Sequence, residues 1–171
     1  MNLALALSPR RHLAPLAIGL ILGLLVSLLV AMTTASPAEA AQKCNTKITI
    51  GKSVRGRAII ACQLGNPALK PMLFIGEIHG NERAGRATAD RLMASSIPST
   101  ANVWVIPTMN PDGHAANKRH NARGVDLNRN FPYGWNKRTG NYASGWKAAS
   151  EPETRAVMSF IKKYRPYTTV I

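Results

Sequence analysis

Residues 72–82 read MLFIGEIHGNE, and this stretch predicts the fold of the chain. Its first seven residues, 72–78, form a continuous apolar run, which is typical of a buried strand in a parallel sheet. A helix follows over residues 81–92, and its apolar positions at helical spacing are Ala84, Ala87 and Leu92. A strand that leads directly into a helix indicates an α/β unit.

Further segments continue this alternation. Residues 102–106, NVWVI, form a second apolar run, and a third strand begins at residue 168. Between them a helix is predicted to start with a capping box of Ser150 and Glu153, with Pro152 in its first turn. Its predicted buried face consists of Val157, Phe160 and Ile161. The order of elements predicts an α/β fold with a mostly parallel or mixed sheet flanked by helices.

The first 40 residues predict an export signal. Arg10 and Arg11 precede an apolar run at residues 13–32, and residues 38–40, AEA, form a small-x-small cleavage box. The alternative is an uncleaved membrane anchor, because about 20 residues at about 1.5 Å each cross a bilayer core of about 30 Å. We expect residues 41–171 to be secreted, either extracellular or periplasmic, with membrane contact only if the segment stays uncleaved.

The two cysteines of the chain, Cys44 and Cys62, both lie in the part predicted to be exported. Residues 47–50 and 58–62 read as two short strands joined by a turn-prone segment. Because export permits disulfides, we predict that Cys44 and Cys62 form a bridge across this hairpin. Two unpaired thiols are the alternative.

The chain is strongly basic, with 22 Lys and Arg against 8 Asp and Glu and a formal net charge of +14. Removal of residues 1–40 takes away only two arginines and one glutamate, so the rest stays basic. A hydrophobic fraction of 46% excludes wholesale disorder. The basic residues are dispersed, and export makes nucleic acid an unsuitable partner, so no nucleic-acid site is predicted.

Two side chains suited to metal binding follow the first predicted strand of the α/β alternation. His79 and Glu82 lie three residues apart across a strand-to-helix turn, where ligands of open α/β sheets bind. Together with another His they would form a His₂Glu zinc site. A helix-capping Glu82 and a surface His79 are the ordinary alternative. The long segment 107–150, which shows little periodicity, is predicted to be a functional loop.

Three motifs resemble those of the zinc carboxypeptidase family: residues 76–82 (GEIHGNE), 110–113 (NPDG) and 124–132 (GVDLNRNFP). The spacing within 110–132 and the sequence SEPET at 150–154 are most similar to the murein peptide amidase branch. Enzymes of that branch cut the bond between D-glutamate and diaminopimelate in cell-wall peptides. The resemblance runs from about residue 51 to the last residue and implies a carboxypeptidase-like α/β fold.

The resemblance implies one Zn²⁺ ion, with His79 and Glu82 as its first two protein ligands. The third ligand of the family is a His at the end of the strand that begins here at residue 168, so we expect it just beyond Ile171. The general-base Glu of the family lies further on. We therefore expect residues 41–171 to be the N-terminal portion of a longer domain, inactive by itself.

The resemblance also implies a substrate site. Asn128 and Arg129 match the pair that binds the terminal carboxylate of the substrate, and Arg119 matches the arginine that stabilises the oxyanion, with Arg123 as the competing candidate. Asp126 is interpreted as a brace for the loop or for a zinc-bound His. The implied substrate is a peptide or cell-wall peptide with a free carboxylate, and we expect a monomer.

Three functions remain open on this evidence. The main prediction is an exported zinc metallopeptidase that hydrolyses a C-terminal peptide bond or a D-glutamyl-diaminopimelate-type bond through a metal-activated water. The second is a catalytically inactive carboxylate- or peptide-binding module. The third is a basic binder of cell-wall polymers, driven by charge.

Overall fold

The computed structural model describes residues 44–171. The export signal or membrane anchor predicted for residues 1–40 lies outside the described residues. Within residues 44–171, no helix is both long enough and apolar enough to cross a membrane.

Five strands form one mixed sheet with the spatial order β1-β2-β4-β3-β5. The strands are β1 (Thr46–Lys52), β2 (Ala58–Gly65), β3 (Met72–Ile75), β4 (Asn102–Ile106) and β5 (Thr168–Val170). β2 pairs antiparallel with β1 and with β4, whereas β3 pairs parallel with β4 and with β5. The predicted α/β class with a mixed sheet is confirmed, and the parallel half is the one that leads into residues 76–82.

Helices cover both faces of this sheet. They are α1 (Arg83–Ala94), α2 (Pro111–Ala116) and α3 (Pro152–Tyr164). The α3 face buries Val157 and Phe160 against a cluster that includes Trp104, and the rings of Trp104 and Phe160 lie edge to face at 5.3 Å. On the other face, Ala89 and Met93 of α1 pack against β2 and β4. The buried face predicted for α3 is confirmed.

The N-terminal hairpin and its disulfide are also confirmed. Both strands of the predicted hairpin are present and are longer than predicted, as β1 and β2. The bridge joins Cys44 to Cys62 across 18 positions of sequence. A crosslink that closes a loop of this length contributes about 3 kcal/mol in the chain-entropy model.

The predicted boundaries around residues 76–82 need correction. β3 ends at Ile75 rather than at residue 78, and α1 begins at Arg83. Gly76, the first residue after β3, allows a close approach to α1, because a Cβ at this position would lie 2.7 Å from the carbonyl oxygen of Gly85. The apolar face predicted for α1 is wrong in part, since Ala84 and Ala87 are exposed.

Two predictions about the second half of the chain are also wrong. The segment 107–150, predicted to be a loop, is partly helical, because it contains α2 and two 3₁₀ turns, Leu127–Arg129 and Gly140–Tyr142. The capping box of α3 is absent: its N-cap is Glu151, with no side-chain capping bond. Ser150 donates instead to Glu151 Oε1 at 2.7 Å, and Glu153 accepts from the backbone N–H of Val54 at 3.0 Å. Asn130 Nδ2 also donates to Ser150 Oγ at 2.9 Å, so both buried side chains make tertiary contacts instead of capping bonds.

Candidate metal and carboxylate site

His79 and Glu82 converge at the end of β3. The imidazole Nδ1 of His79 lies 2.9 Å from Glu82 Oε1, across a turn closed by the hydrogen bond from the Glu82 N–H to the His79 carbonyl at 3.0 Å. His79 is buried, whereas the Glu82 side chain is 51% exposed. Glu82 occupies the N-cap position of α1 but makes no side-chain capping bond. The reading of Glu82 as a helix cap is therefore wrong.

The turn depends on Gly80. A side chain at this position would overlap the backbone of Gly113, which belongs to α2. The backbone N–H of Gly80 donates to the carbonyl of Arg119 at 3.4 Å. The NPDG motif therefore begins the helix that packs against the His79 loop, with Asn110 as its N-cap.

Asp126 holds His79 from the other side. Its carboxylate is fully buried, and Oδ1 lies 2.8 Å from His79 Nε2. Oδ2 accepts from Arg119 Nε at 3.1 Å and from Arg119 Nη2 at 2.8 Å. Burial would raise the pKa of Asp126, but the hydrogen bonds and charges of His79 and Arg119 outweigh it and hold the pKa below its ordinary value. Asp126 therefore contacts both the loop and the predicted ligand.

The contact with Asp126 determines the tautomer of His79. Because ionised Asp126 only accepts hydrogen bonds, its contact requires a proton on Nε2, and a neutral ring then presents the lone pair of Nδ1 to Glu82. Two acceptors at 2.9 Å attract only when a proton or a metal cation lies between them. An imidazole nitrogen and a carboxylate oxygen are also zinc ligands, so His79 and Glu82 fit Zn²⁺.

The described residues supply two such donors and no more. Among residues 44–171, no group of three or more His, Cys, Asp or Glu side chains is arranged to hold a metal ion. His114 Nδ1 contacts Glu77 Oε2 at 2.8 Å, and His120 Nε2 contacts the carbonyl of Asn141 at 2.9 Å. Neither of these histidines is hydrogen-bonded to His79 or to Glu82.

The structure separates the two candidate oxyanion arginines. Arg119 shares the Asp126 carboxylate with His79, and its Nη1 has no hydrogen-bond partner among the described residues. Arg123 instead lies near Glu151, with 3.6 Å between Arg123 Nη1 and Glu151 Oε2. Arg119 is thus connected to the His79 turn, whereas Arg123 is paired elsewhere.

Asn128 and Arg129 lie on the 3₁₀ turn that begins directly after Asp126. The Asp126 side chain accepts from the Asn128 N–H at 3.0 Å and so fixes the start of the turn. Among the described residues, Asp126 forms its arginine salt bridge with Arg119 and not with Arg129. The Nε of Arg129 is buried without a hydrogen-bond partner among residues 44–171. A guanidinium in this state is suited to receive an anionic ligand.

Sequence reasoning missed Tyr142. The centre of its ring lies 5.7 Å from the guanidinium carbon of Arg119 and 5.7 Å from that of Arg129. The ring is 51% exposed, and its turn is held by the hydrogen bond from the Asp126 N–H to the Ala143 carbonyl at 2.8 Å. No spacing signal marks Tyr142, because a loop of irregular structure returns it to the two arginines.

Comparisons with known proteins are consistent with this geometry. A family model described as zinc carboxypeptidase matches residues 34–171. The chain is 31% identical over 155 residues to the carboxypeptidase N catalytic chain of Mus musculus, covering 66% of this chain and 34% of the relative. It is 32% identical over 130 residues to murein peptide amidase A of Escherichia coli K12, covering 68% of this chain and 54% of the relative.

A solved structure is similar as well. The crystal structure of murein-tripeptide amidase MpaA from Escherichia coli O157 superposes with a TM-score of 0.67 at 30% identity, covering 78% of this chain and 62% of that one. The chain thus spans about a third to about half of the length of the two curated relatives.

Proposed function

Because the chain belongs to the zinc carboxypeptidase family, we propose that His79 and Glu82 are two protein ligands of one Zn²⁺ in an exported metallopeptidase. The observation that carries this proposal is the 2.9 Å approach of His79 Nδ1 to Glu82 Oε1, while Asp126 holds the other ring nitrogen at 2.8 Å. A carboxylate behind a ligating imidazole fixes its tautomer and its orientation. Bound zinc would polarise the scissile carbonyl and activate water.

Arg119 is proposed to stabilise the developing oxyanion. Its Nε and Nη2 are held by Asp126, which leaves Nη1 for the substrate. A donor fixed in advance stabilises developing charge without reorganisation at the moment of reaction. The alternative, Arg123, lacks this support because it faces Glu151.

Asn128 and Arg129 are proposed to bind the free carboxylate at the C-terminal end of the substrate. The unpartnered, buried Nε of Arg129 supports this role, since a buried donor without an acceptor is costly unless a ligand supplies one. An amide next to a planar guanidinium suits bidentate recognition of a carboxylate. The scissile bond would then lie between this pocket and the His79–Glu82 pair.

The substrate class that follows is a peptide with a free C-terminal carboxylate. The resemblance to a carboxypeptidase and to a murein peptide amidase supports either a C-terminal peptide bond or a D-glutamyl-diaminopimelate-type bond of cell-wall peptides. The excess of Lys and Arg over Asp and Glu, which remains after removal of residues 1–40, would favour the approach of anionic peptides. We propose that the protein acts as a monomer outside the cytoplasm.

The metal assignment is tested by zinc content. The protein expressed from its complete reading frame should carry one Zn²⁺ per chain, and Glu82→Ala should lose it. Asp90→Ala is the matched control, because Asp90 is a partly exposed carboxylate on the same helix α1 and pairs with Arg86 at 2.9 Å. One tightly bound zinc in Glu82→Ala would overturn the assignment.

A second candidate is a carboxylate-binding module without catalysis. One observation favours it. Residues 44–171 bring together two metal donors and no third, whereas the two arginines suited to bind a peptide, Arg119 and Arg129, both lie beside Tyr142. Hydrolysis of N-blocked dipeptides by the zinc-loaded protein would exclude this candidate. Binding of the same peptides without hydrolysis would establish it.

A further inference from the structure

A small cavity lies beside the proposed carboxylate pair. Its volume is about 130 Å³, and its polar lining consists of Asn128, Arg129, Asn136 and Arg138. The remaining lining is aromatic apart from one glycine, and no Asp or Glu contributes to it. Two arginines, the partly buried Arg129 and the exposed Arg138, therefore line one space to which no carboxylate of the protein contributes.

Neither guanidinium is neutralised by another described residue. Arg129 Nε is buried without a partner. Arg138 donates from Nε to Asn136 Oδ1 at 2.8 Å, which is a neutral acceptor. Within residues 44–171 neither arginine forms an ion pair, so the cavity carries two uncompensated positive charges. An anion bound in this space would be attracted by both positive charges.

Hydrogen bonds to Ser144 hold the loop that carries Arg138. Ser144 is fully buried, and its Oγ accepts from the Arg138 N–H at 2.8 Å and donates to the Asn136 carbonyl at 2.9 Å. The Ser144 N–H also donates to the Arg138 carbonyl at 3.2 Å. The backbone of Arg138 is thus held in place before any ligand arrives, which lowers the entropy cost of binding.

We propose that this cavity binds a second carboxylate, so that the preferred C-terminal residue of the substrate has an acidic side chain. The inference rests on the proposed function, because the first carboxylate is the one assigned to Asn128 and Arg129. The α-carboxylate contacts Arg129, and the side-chain carboxylate contacts Arg138. Charge-assisted pairs of this kind distinguish a carboxylate from an amide of the same shape.

The test compares N-blocked dipeptides that end in Glu with those that end in Gln, on the zinc-loaded protein from the complete reading frame. We expect kcat/KM to be about tenfold higher for Glu, and this ratio to fall to about one in Arg138→Gln. Lys137→Gln is the matched control, because Lys137 is the adjacent exposed cation and lies outside the cavity lining. It should keep the wild-type ratio.

Equilibrium binding gives a second readout that needs no hydrolysis. Glutarate should bind about tenfold tighter than butyrate, and Arg138→Gln should remove this difference. The inference would be overturned if the preference for glutarate over butyrate were the same in wild type and in Arg138→Gln. It would also be overturned if Lys137→Gln reduced this preference as much as Arg138→Gln does, because general charge attraction would then explain it. If neither peptide is hydrolysed, the proposed function fails, while the glutarate comparison still decides the role of the cavity.

Discussion

Asp126 Oδ1 lies 2.8 Å from Nε2 of His79, although the two residues are 47 positions apart in the chain. The same buried carboxylate accepts two hydrogen bonds from Arg119. One side chain thus orients both the proposed zinc ligand and the proposed oxyanion donor. This shared support explains why an aspartate with no direct access to substrate occupies the centre of the site.

Asp126→Asn is expected to weaken zinc binding by about 10-fold to 100-fold, because the amide no longer fixes the tautomer of His79. The measurement is competition with a chromophoric chelator. Asp112→Asn is the control, since Asp112 is also buried but contacts Arg57 and the backbone of Arg55. A zinc affinity within twofold of wild type in Asp126→Asn would show that this carboxylate does not support the metal site.

Arg129→Gln is expected to raise KM for peptides with a free carboxylate by about 10-fold to 100-fold and to leave the zinc content unchanged. Arg119→Gln should instead lower kcat, because its contact is made with the developing oxyanion. Arg123→Gln should change neither, since Arg123 pairs with Glu151. Steady-state kinetics of the three variants measure this split, and a kcat loss in Arg123→Gln would reassign the oxyanion role.

Tyr142→Ala is expected to lower kcat/KM about twofold to fivefold, because the ring lies 5.7 Å from both guanidinium groups and restrains them. Tyr142→Phe keeps the ring and should restore the wild-type value. Tyr167→Ala is the control and should keep the wild-type kcat/KM. Tyr167 is similarly exposed, at 59% against 51%, but it lies directly before β5, where its N–H donates to the carbonyl of Pro71 at 3.1 Å, at the opposite end of β3 from His79. If Tyr142→Phe is as impaired as Tyr142→Ala, the hydroxyl group is responsible rather than the ring.

The stability of the protein should depend on pH through Asp112. Burial would raise the pKa of Asp112, but the backbone N–H of Arg55 and the guanidinium of Arg57 lower it below the ordinary value. A carboxyl whose pKa is lower in the folded state stabilises the fold above its unfolded pKa of about 4, and this contribution is lost as the pH falls through the folded value.

Asp112→Asn should therefore destabilise the protein by about 1–3 kcal/mol at neutral pH, and the difference from wild type should shrink below about pH 4. Urea unfolding of both proteins at a series of pH values measures this difference. A difference that stays constant, or that grows as the pH falls, would contradict the sign of the shift.

Much of the fold followed from local sequence. The apolar runs before His79 and at β4 predicted β3 and β4, because strands covered on both faces carry apolar residues on both faces. The amphipathic pattern of α3 predicted its buried face through Phe160. The motifs around His79 and around Arg129 predicted the family, and the two cysteines predicted the disulfide of the hairpin.

Tertiary structure decided what local patterns do not encode. Glu153 and Ser150 match a capping box, but in the buried core Glu153 accepts from the Val54 N–H and Ser150 accepts from Asn130 Nδ2. Tyr142 has no periodic neighbour, and only the folded loop brings it to both arginines. The sequence alone thus determined which residues are available for metal and carboxylate binding. The joint support of His79 and Arg119 by Asp126 arises from contacts between distant segments, which local spacing does not specify.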